Sequence, residues 1–138
     1  MTNESWFEYF LHILRESGRM LREKQFFMKR CYSLKRNKEF HRVFKRGKSA
    51  GSHFMVLVHI SSREPDKKIG LAVSKKIGSA VVRNRVKRRL REAVTPLLPE
   101  ILPGCRLIFI ARTPIKDASF KEIESTVRRL LGKAGLLG

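Results

Sequence analysis

The sequence predicts one domain built from both helices and strands, and three features of the chain support this. Apolar residues recur at helical spacing inside a run of cations at residues 79–97, which predicts a helix packed on a core. Apolar runs at residues 54–60, 68–74 and 106–112 predict strands. With 138 residues, 42% of them hydrophobic, the chain can bury one compact core.

The first helix is predicted between Asn37, a good N-cap, and Gly47, a residue that favours a helix end. Phe40, Val43 and Phe44 share one side of this helix. The opposite side carries four cations, Lys38, Arg42, Lys45 and Arg46. Apolar residues one turn apart usually belong to the core, so spacing alone favours a core position for the two phenylalanines.

The first predicted strand, residues 54–60, is followed by a turn that contains Pro65. Residues 68–74 are therefore expected to pair with it as a hairpin. Because side chains alternate along a strand, Leu57 and His59 share one of its faces.

The second predicted strand has one nearly flat face, which carries Gly70, Ala72 and Ser74. A face without bulk leaves room for something to lie on it. The third predicted strand, residues 106–112, comes after the basic helix. This order predicts a βαβ unit with parallel pairing of the second and third strands.

The basic helix at residues 79–97 has an apolar stripe formed by Val82, Val86, Leu90 and Ala93. The cations expected to project from its other faces are Arg83, Lys87, Arg88 and Arg91. Such an array on a rigid scaffold suits a polyanion with regularly spaced phosphates. A solvated charged face is the alternative interpretation, whereas a disordered basic tail would not keep the stripe.

The charge of the chain also indicates an anionic partner. The formal net charge is +19, from 31 Lys and Arg against 12 Asp and Glu. Residues 1–27 hold equal numbers of basic and acidic residues, so the whole excess lies in residues 28–138. Nucleic acid is the first partner that this excess predicts, and an anionic membrane surface is the second.

Capping-box patterns predict helix starts at residues 5–8 and 119–122. The first of these lies in a segment, residues 1–27, that has two open interpretations. It is an amphipathic helix that docks on the domain, a partner or a membrane, or it is an upstream extension, because Met28 is a plausible start.

The sequence offers no credible protein active site. A metal-dependent nuclease needs clustered carboxylates, and residues 28–138 contain Asp66 and Asp117 as their only aspartates. Cys31 and Cys105 stand without a CxxC or Cys/His cluster, so both are expected to be reduced thiols in a cytosolic protein. There is no 18-residue apolar run, so no transmembrane helix is expected.

Residues 75–92 read Lys-Lys-Ile-Gly-x-Ala-Val-x-Arg-Asn-Arg-x-Lys-Arg-x-x-Arg-Glu. This order and spacing resembles the signature of the protein subunit of bacterial ribonuclease P. Its specific core consists of Arg83, Asn84, Arg85, Lys87, Arg88 and Arg91. The resemblance extends over about residues 28–135 and leaves residues 1–27 without a counterpart.

The resemblance implies an α+β fold, namely a two-layer α/β sandwich in α-β-β-β-α-β-α order. Its sheet is mixed, with a left-handed βαβ crossover, although the general rule favours a right-handed one. The pattern reveals three of the four strands, and the missing one is expected within residues 48–60. Residues 28–138 would form this domain, and residues 1–27 an N-terminal extension, helical or disordered.

The resemblance also implies a function. Together with a catalytic RNA, such a protein removes the 5′ leader from precursor tRNA by endonucleolytic cleavage. The catalytic RNA holds the Mg²⁺ ions and performs the chemistry, and the protein binds that RNA and the leader. A cytoplasmic location, with no membrane and no DNA as partner, is part of this expectation.

Two groups of site residues follow from the resemblance. The RNA-binding group comprises Lys75, Lys76, Arg83, Asn84, Arg85, Lys87, Arg88 and Arg91. The 5′-leader cleft comprises Phe40, Phe44, Leu57, His59, Gly70, Ala72 and Ser74. Aromatic rings accept any base by stacking, so the resemblance changes the expectation for the two phenylalanines from core to partly exposed lining.

Two rival functions share some of these features. A ribosomal or other structural RNA-binding protein would also carry the charge and the basic helix, but it would not need an aromatic-lined cleft beside that helix. A DNA-binding protein would place a recognition helix in the major groove, and nothing in the sequence reads as a helix-turn-helix.

Overall fold

The computed structural model describes residues 32–34 and 36–138. The helices and strands, in chain order, are α1 (Asn37–Arg46), β1 (Lys48–Gly51), β2 (Met55–Ser61), β3 (Lys67–Ala72), α2 (Ala80–Val94), β4 (Cys105–Ala111) and α3 (Phe120–Lys133). This order confirms the expected α-β-β-β-α-β-α arrangement. The predictions for residues 1–27 and Cys31 lie outside the described residues.

The four strands form one mixed sheet in the order β1-β2-β4-β3. β1 and β4 each pair antiparallel with β2, and β3 pairs parallel with β4. The predicted parallel βαβ unit is therefore confirmed, with α2 connecting β3 to β4. The predicted hairpin of β2 with β3 is wrong, because β4 lies between them. All seven residues of β4 are buried, and a strand that is apolar on both faces belongs in the sheet interior.

The strand that the pattern left undetected is β1, at the start of the expected region. It is four residues long, and Ala50, opposite Leu57, is its one buried residue. A strand this short, with one buried residue, shows no alternation of apolar and polar residues in the sequence. The turn into β2 is held by Ser52, whose hydroxyl donates to the Met55 carbonyl at 2.7 Å and accepts from the Met55 amide at 3.1 Å.

Helices pack on both faces of the sheet. One face joins α2 and α3 in the larger core, whose sheet members include Met55, Leu57, Ile69, Leu71, Leu107 and Phe109. The other face joins α1 in a second core, whose members are Leu34, Phe40, Val43, Phe44, Val56, Val58, Ala72, Ile108 and Ile110. The sheet with α2 and α3 makes the expected sandwich, and α1 adds cover on the opposite face.

Both ends of α2 follow from its sequence. The Ser79 hydroxyl caps the start by accepting from the Val82 amide at 3.4 Å. The helix ends at Val94 rather than at residue 97, and a 3-10 turn containing two prolines, Thr95–Glu100, follows. The Lys67 ammonium donates to the carbonyl of Leu98, a residue of this turn.

The predicted capping box at the start of α3 is confirmed. The Ser119 hydroxyl accepts from the Glu122 amide at 3.2 Å, and the Glu122 carboxylate accepts from the Ser119 amide at 3.1 Å. Among the described residues, no helix is both long enough and apolar enough to cross a membrane.

Candidate RNA interface

One face of α2 is open to solvent and strongly basic. It carries Val81, Asn84, Arg85 and Arg88, and Val81 is 78% exposed. Lys75 and Lys76, in the 3-10 turn before the helix, are also exposed. In the described part of the chain no ion pair engages Lys75, Arg85 or Arg88. Their positive field is therefore available to an external polyanion.

The turn that carries the two lysines is held by its neighbours. The Ile77 side chain is buried in the larger core, and its amide donates to the Ser74 carbonyl at 3.1 Å. Gly78 follows with φ 158° and ψ −161°. A Cβ at this position would be strained and would lie 3.1 Å from two Val82 side-chain carbons. The glycine thus lets the lysines sit directly beside the start of α2.

The predicted apolar stripe of α2 is confirmed, because Val86, Leu90 and Ala93 are buried and Val82 packs against them. The expectation that all the cations project into solvent is wrong for Lys87 and Arg91, which are 4% and 5% exposed. With the half-buried Arg83 they line one flank of the stripe at four-residue spacing. Their long aliphatic stems suit that position, because they can pack along apolar neighbours.

Arg83 and Arg89 occupy opposite flanks of α2. The Arg89 guanidinium donates to the Ala118 carbonyl at 3.1 Å, just before α3, so it has a structural role. The Nε atom of Arg83 is buried and lacks a hydrogen-bond partner among the described residues. The predicted RNA-binding group therefore divides into an exposed set at Lys75, Lys76, Asn84, Arg85 and Arg88 and an inward set at Arg83, Lys87 and Arg91.

The predicted leader cleft is closed at its aromatic residues. Phe40 and Phe44 are 3% and 2% exposed, so the expectation of partly exposed rings is wrong and the core position favoured by spacing is correct. A Cβ built on Gly70 would lie 2.5 Å from Phe40 Cζ. The strand face that carries Gly70 does leave room for another group, but the Phe40 ring of the same chain fills that room.

Two residues assigned to the cleft lie on the wrong face of the sheet. Leu57 is fully buried opposite Phe109 in the larger core, and His59 sits two residues further along the same face. Burial, and secondly the charge of Lys48, lower the pKa of His59 below its ordinary 6.5. Val58 occupies the face under α1 instead.

The remaining cleft residues are also inaccessible. Ala72 and Ser74 are both 1% exposed, and Gly70 is buried. The period-two pattern correctly groups residues by face. It does not say which face α1 covers, and that is why the assignment of Leu57 and His59 failed.

A second cluster of charged residues is structural. Arg106 is 7% exposed, and its guanidinium donates to the carboxylates of Glu64 and Asp66, each at 2.9 Å. The hydrogen bond from Arg106 to Asp66 is the main reason why the pKa of Asp66 lies below 3.8. No group of three or more His, Cys, Asp or Glu that could hold a metal ion occurs in residues 32–34 and 36–138.

A basic helix exposed on one side of a mixed sheet is typical of a nucleic-acid-binding α+β domain. The family model described as Ribonuclease P matches residues 28–135. The chain belongs to the ribonuclease P protein family, whose members are RNA-binding subunits in tRNA 5′ processing.

Relatives and solved structures agree with this membership. The chain is 40% identical over 110 residues to the ribonuclease P protein component of Bacillus cereus strain B4264, covering 79% of this chain and 96% of that one. The Staphylococcus aureus RNase P protein matches with a TM-score of 0.72 and 32% identity, over 78% of this chain and 98% of that chain. The Thermotoga maritima RNase P protein matches with a TM-score of 0.67 and 25% identity, over 73% and 96%.

Proposed function

We propose that this chain binds a catalytic ribonuclease P RNA through the exposed set on α2 and its preceding turn. The observation that carries this proposal is the absence of intramolecular ion pairs, within the described residues, at Lys75, Arg85 and Arg88. An exposed cation that is not neutralised by its own protein gains most from a phosphate, because counterions are released when the two meet.

We propose that the protein, once bound, helps the RNA to remove the 5′ leader from precursor tRNA. Within the exposed set, Lys75 and Lys76 are suited to contact RNA phosphates near the cleavage site, those of the leader included. This contact reads the backbone and not the bases, so it accepts leaders of any sequence. It replaces the stacking contact, which the burial of Phe40 and Phe44 removes.

The RNA would supply the chemistry and hold the Mg²⁺ ions. The carboxylates of Glu64 and Asp66 converge on Arg106, and Asp66 also pairs with Lys68. Two cations already balance the two carboxylates, so this pair does not fit a divalent cation. RNA phosphates are hard oxygen ligands of the kind that Mg²⁺ prefers. The role of the protein in this scheme is to bind and position.

Residues 28–138 are proposed to be sufficient for this role, with residues 1–27 as an extension. The matched region and the whole excess of positive charge lie in this part of the chain. A protein that starts at Met28 should therefore fold and stimulate cleavage as the full chain does.

Reconstitution tests the proposal. The protein is mixed with a bacterial ribonuclease P RNA, and precursor-tRNA cleavage is measured at low Mg²⁺. The variant carrying Arg85→Gln and Arg88→Gln should bind the RNA more weakly, and its salt slope should fall by about one unit per lost phosphate contact. Both side chains are exposed, so circular dichroism should not change.

The matched control carries Lys121→Gln and Arg129→Gln, two exposed changes of the same charge on α3. It should bind as the wild type does. Equal affinities for the two variants would contradict the assignment to α2. A wild-type protein that binds the RNA without stimulating cleavage would support the alternative of a structural RNA-binding protein.

A further inference from the structure

A second basic surface lies on the solvent side of α1. We name it the α1 basic surface, and it consists of Lys38, Arg42, Lys45 and Arg46. All four side chains are exposed, and no ion pair in the described part of the chain engages any of them. The one acidic residue of the helix, Glu39, is half-buried.

The α1 basic surface faces away from α2. The apolar side of α1 packs against Val56, Val58, Ile108 and Ile110, on one face of the sheet. The apolar stripe of α2 belongs to the core on the other face. Two helices, each about 10 Å across, with a sheet between them separate the two basic surfaces by roughly 30 Å. A straight RNA segment lying on one surface does not reach the other.

The geometry of the α1 basic surface suits a phosphate backbone. Lys38, Arg42 and Arg46 follow one another at four-residue spacing, and Lys45 lies beside them. Steps of about 6 Å along the helix axis therefore place the cations in a row about 12 Å long.

Membranes and acidic proteins fit this surface less well than RNA. Insertion into a membrane interface needs an exposed apolar side, and Phe40, Val43 and Phe44 are only 1–3% exposed. A protein interface needs apolar or aromatic anchors at its centre. Among the described residues the exposed large hydrophobics are Val81 and Leu102, and both lie outside α1.

We infer that the α1 basic surface binds the phosphate backbone of a second RNA segment, so that RNA holds the protein on both sides of its sheet. The inference rests on the proposed function, because it takes α2 as the first RNA contact. The second segment belongs either to the catalytic RNA or to the precursor tRNA, since both present the same phosphates.

The test compares the full chain with two variants of equal charge. The α1 variant carries Lys38→Gln, Arg42→Gln, Lys45→Gln and Arg46→Gln. The control carries Lys116→Gln, Lys121→Gln, Arg129→Gln and Lys133→Gln, all at exposed positions in or before α3. Glutamine is a good helix former, so both variants should keep the wild-type circular dichroism spectrum.

Three affinities are measured across a salt series. The probes are a bacterial ribonuclease P RNA, precursor tRNA added to the assembled ribonucleoprotein, and an RNA duplex of arbitrary sequence. The α1 variant should lose at least about tenfold in affinity for one of the first two probes and for the duplex, with a salt slope lower by about three units. The control should stay within about threefold of the wild type, because it lies outside both proposed surfaces.

If the α1 variant loses affinity for the catalytic RNA, the second segment belongs to that RNA. If it loses affinity only for precursor tRNA, the second segment belongs to the substrate. A loss confined to the duplex would overturn the inference, because neither the catalytic RNA nor precursor tRNA would then use the α1 basic surface. An α1 variant that matches the control with every probe overturns the inference. If the wild type binds the duplex but not the catalytic RNA, the proposed function fails. The duplex affinities of the α1 variant and the control then still show whether the α1 basic surface binds RNA. If the wild type binds no RNA, both fail.

Discussion

Replacing Gly70 by alanine tests the closure of the predicted cleft most directly. The added Cβ would lie 2.5 Å from Phe40 Cζ, 2.9 Å from Phe40 Cε1 and 3.3 Å from Leu34 Cδ2. Carbon atoms pack best at about 3.5–4.0 Å, so the nearest contact is about 1 Å too short. The Phe40 ring is enclosed in the core and cannot move away without disturbing its neighbours.

The expected cost combines two opposing effects. Forcing an extra methyl group into a packed core typically costs about 1–3 kcal/mol. Alanine in a strand recovers about 0.5–1 kcal/mol relative to glycine, because it loses less backbone entropy on folding. Gly70→Ala should therefore lower the free energy of unfolding by about 1 kcal/mol, and by about 2.5 kcal/mol at most.

Urea unfolding of four variants provides the measurement. Gly51→Ala is the matched control, because this glycine also lies in a strand, but apart from its chain neighbours no atom would come within 4 Å of an added Cβ. It should be neutral or slightly stabilising. Phe40→Leu shortens the obstructing side chain, so the double variant with Gly70→Ala should lose less stability than the two single losses added together.

A Gly70→Ala variant as stable as Gly51→Ala, or a double variant whose two losses simply add, would contradict close packing of Phe40 against Gly70. Unchanged stability combined with weaker binding of precursor tRNA would instead return Gly70 to an open cleft. Because the methyl group reports on both outcomes, one variant separates the core interpretation from the cleft interpretation.

Two further predictions concern buried and charged groups. Phe44→Ala should lower the free energy of unfolding in urea by about 3–5 kcal/mol and weaken the binding of precursor and mature tRNA equally, because the residue is 2% exposed. Normal stability with a selective loss of precursor binding would refute this. Asp66 has a pKa lowered by Arg106, so it stabilises the fold above pH 3.8 and loses that effect as the pH falls through its folded pKa. The free energy of unfolding of the wild type should therefore drop more between pH 5 and pH 3 than that of Asp66→Asn. Equal drops would contradict a stabilising role of the Asp66 carboxylate.

The sequence by itself determined the elements that rest on a local pattern. The stripe of Val82, Val86, Leu90 and Ala93 predicted α2, and its burial follows because spacing along a helix decides which residues share a side. The capping box at Ser119 and Glu122 predicted the start of α3 for an equally local reason. The basic signature at residues 75–92 indicated the family, which the match to residues 28–135 confirms.

Only the tertiary structure decided which elements meet. β4 lies between β2 and β3, where all seven of its residues are buried. The local sequence pattern around β4 does not predict which strands it pairs with. The placement of α1 over Gly70 buries Phe40 and leaves Leu57 on the far side of the sheet. Lys87 and Arg91 are likewise cations by sequence, but packing buries both residues. Exposure depends on contacts between residues distant in the chain, and periodicity does not record such contacts.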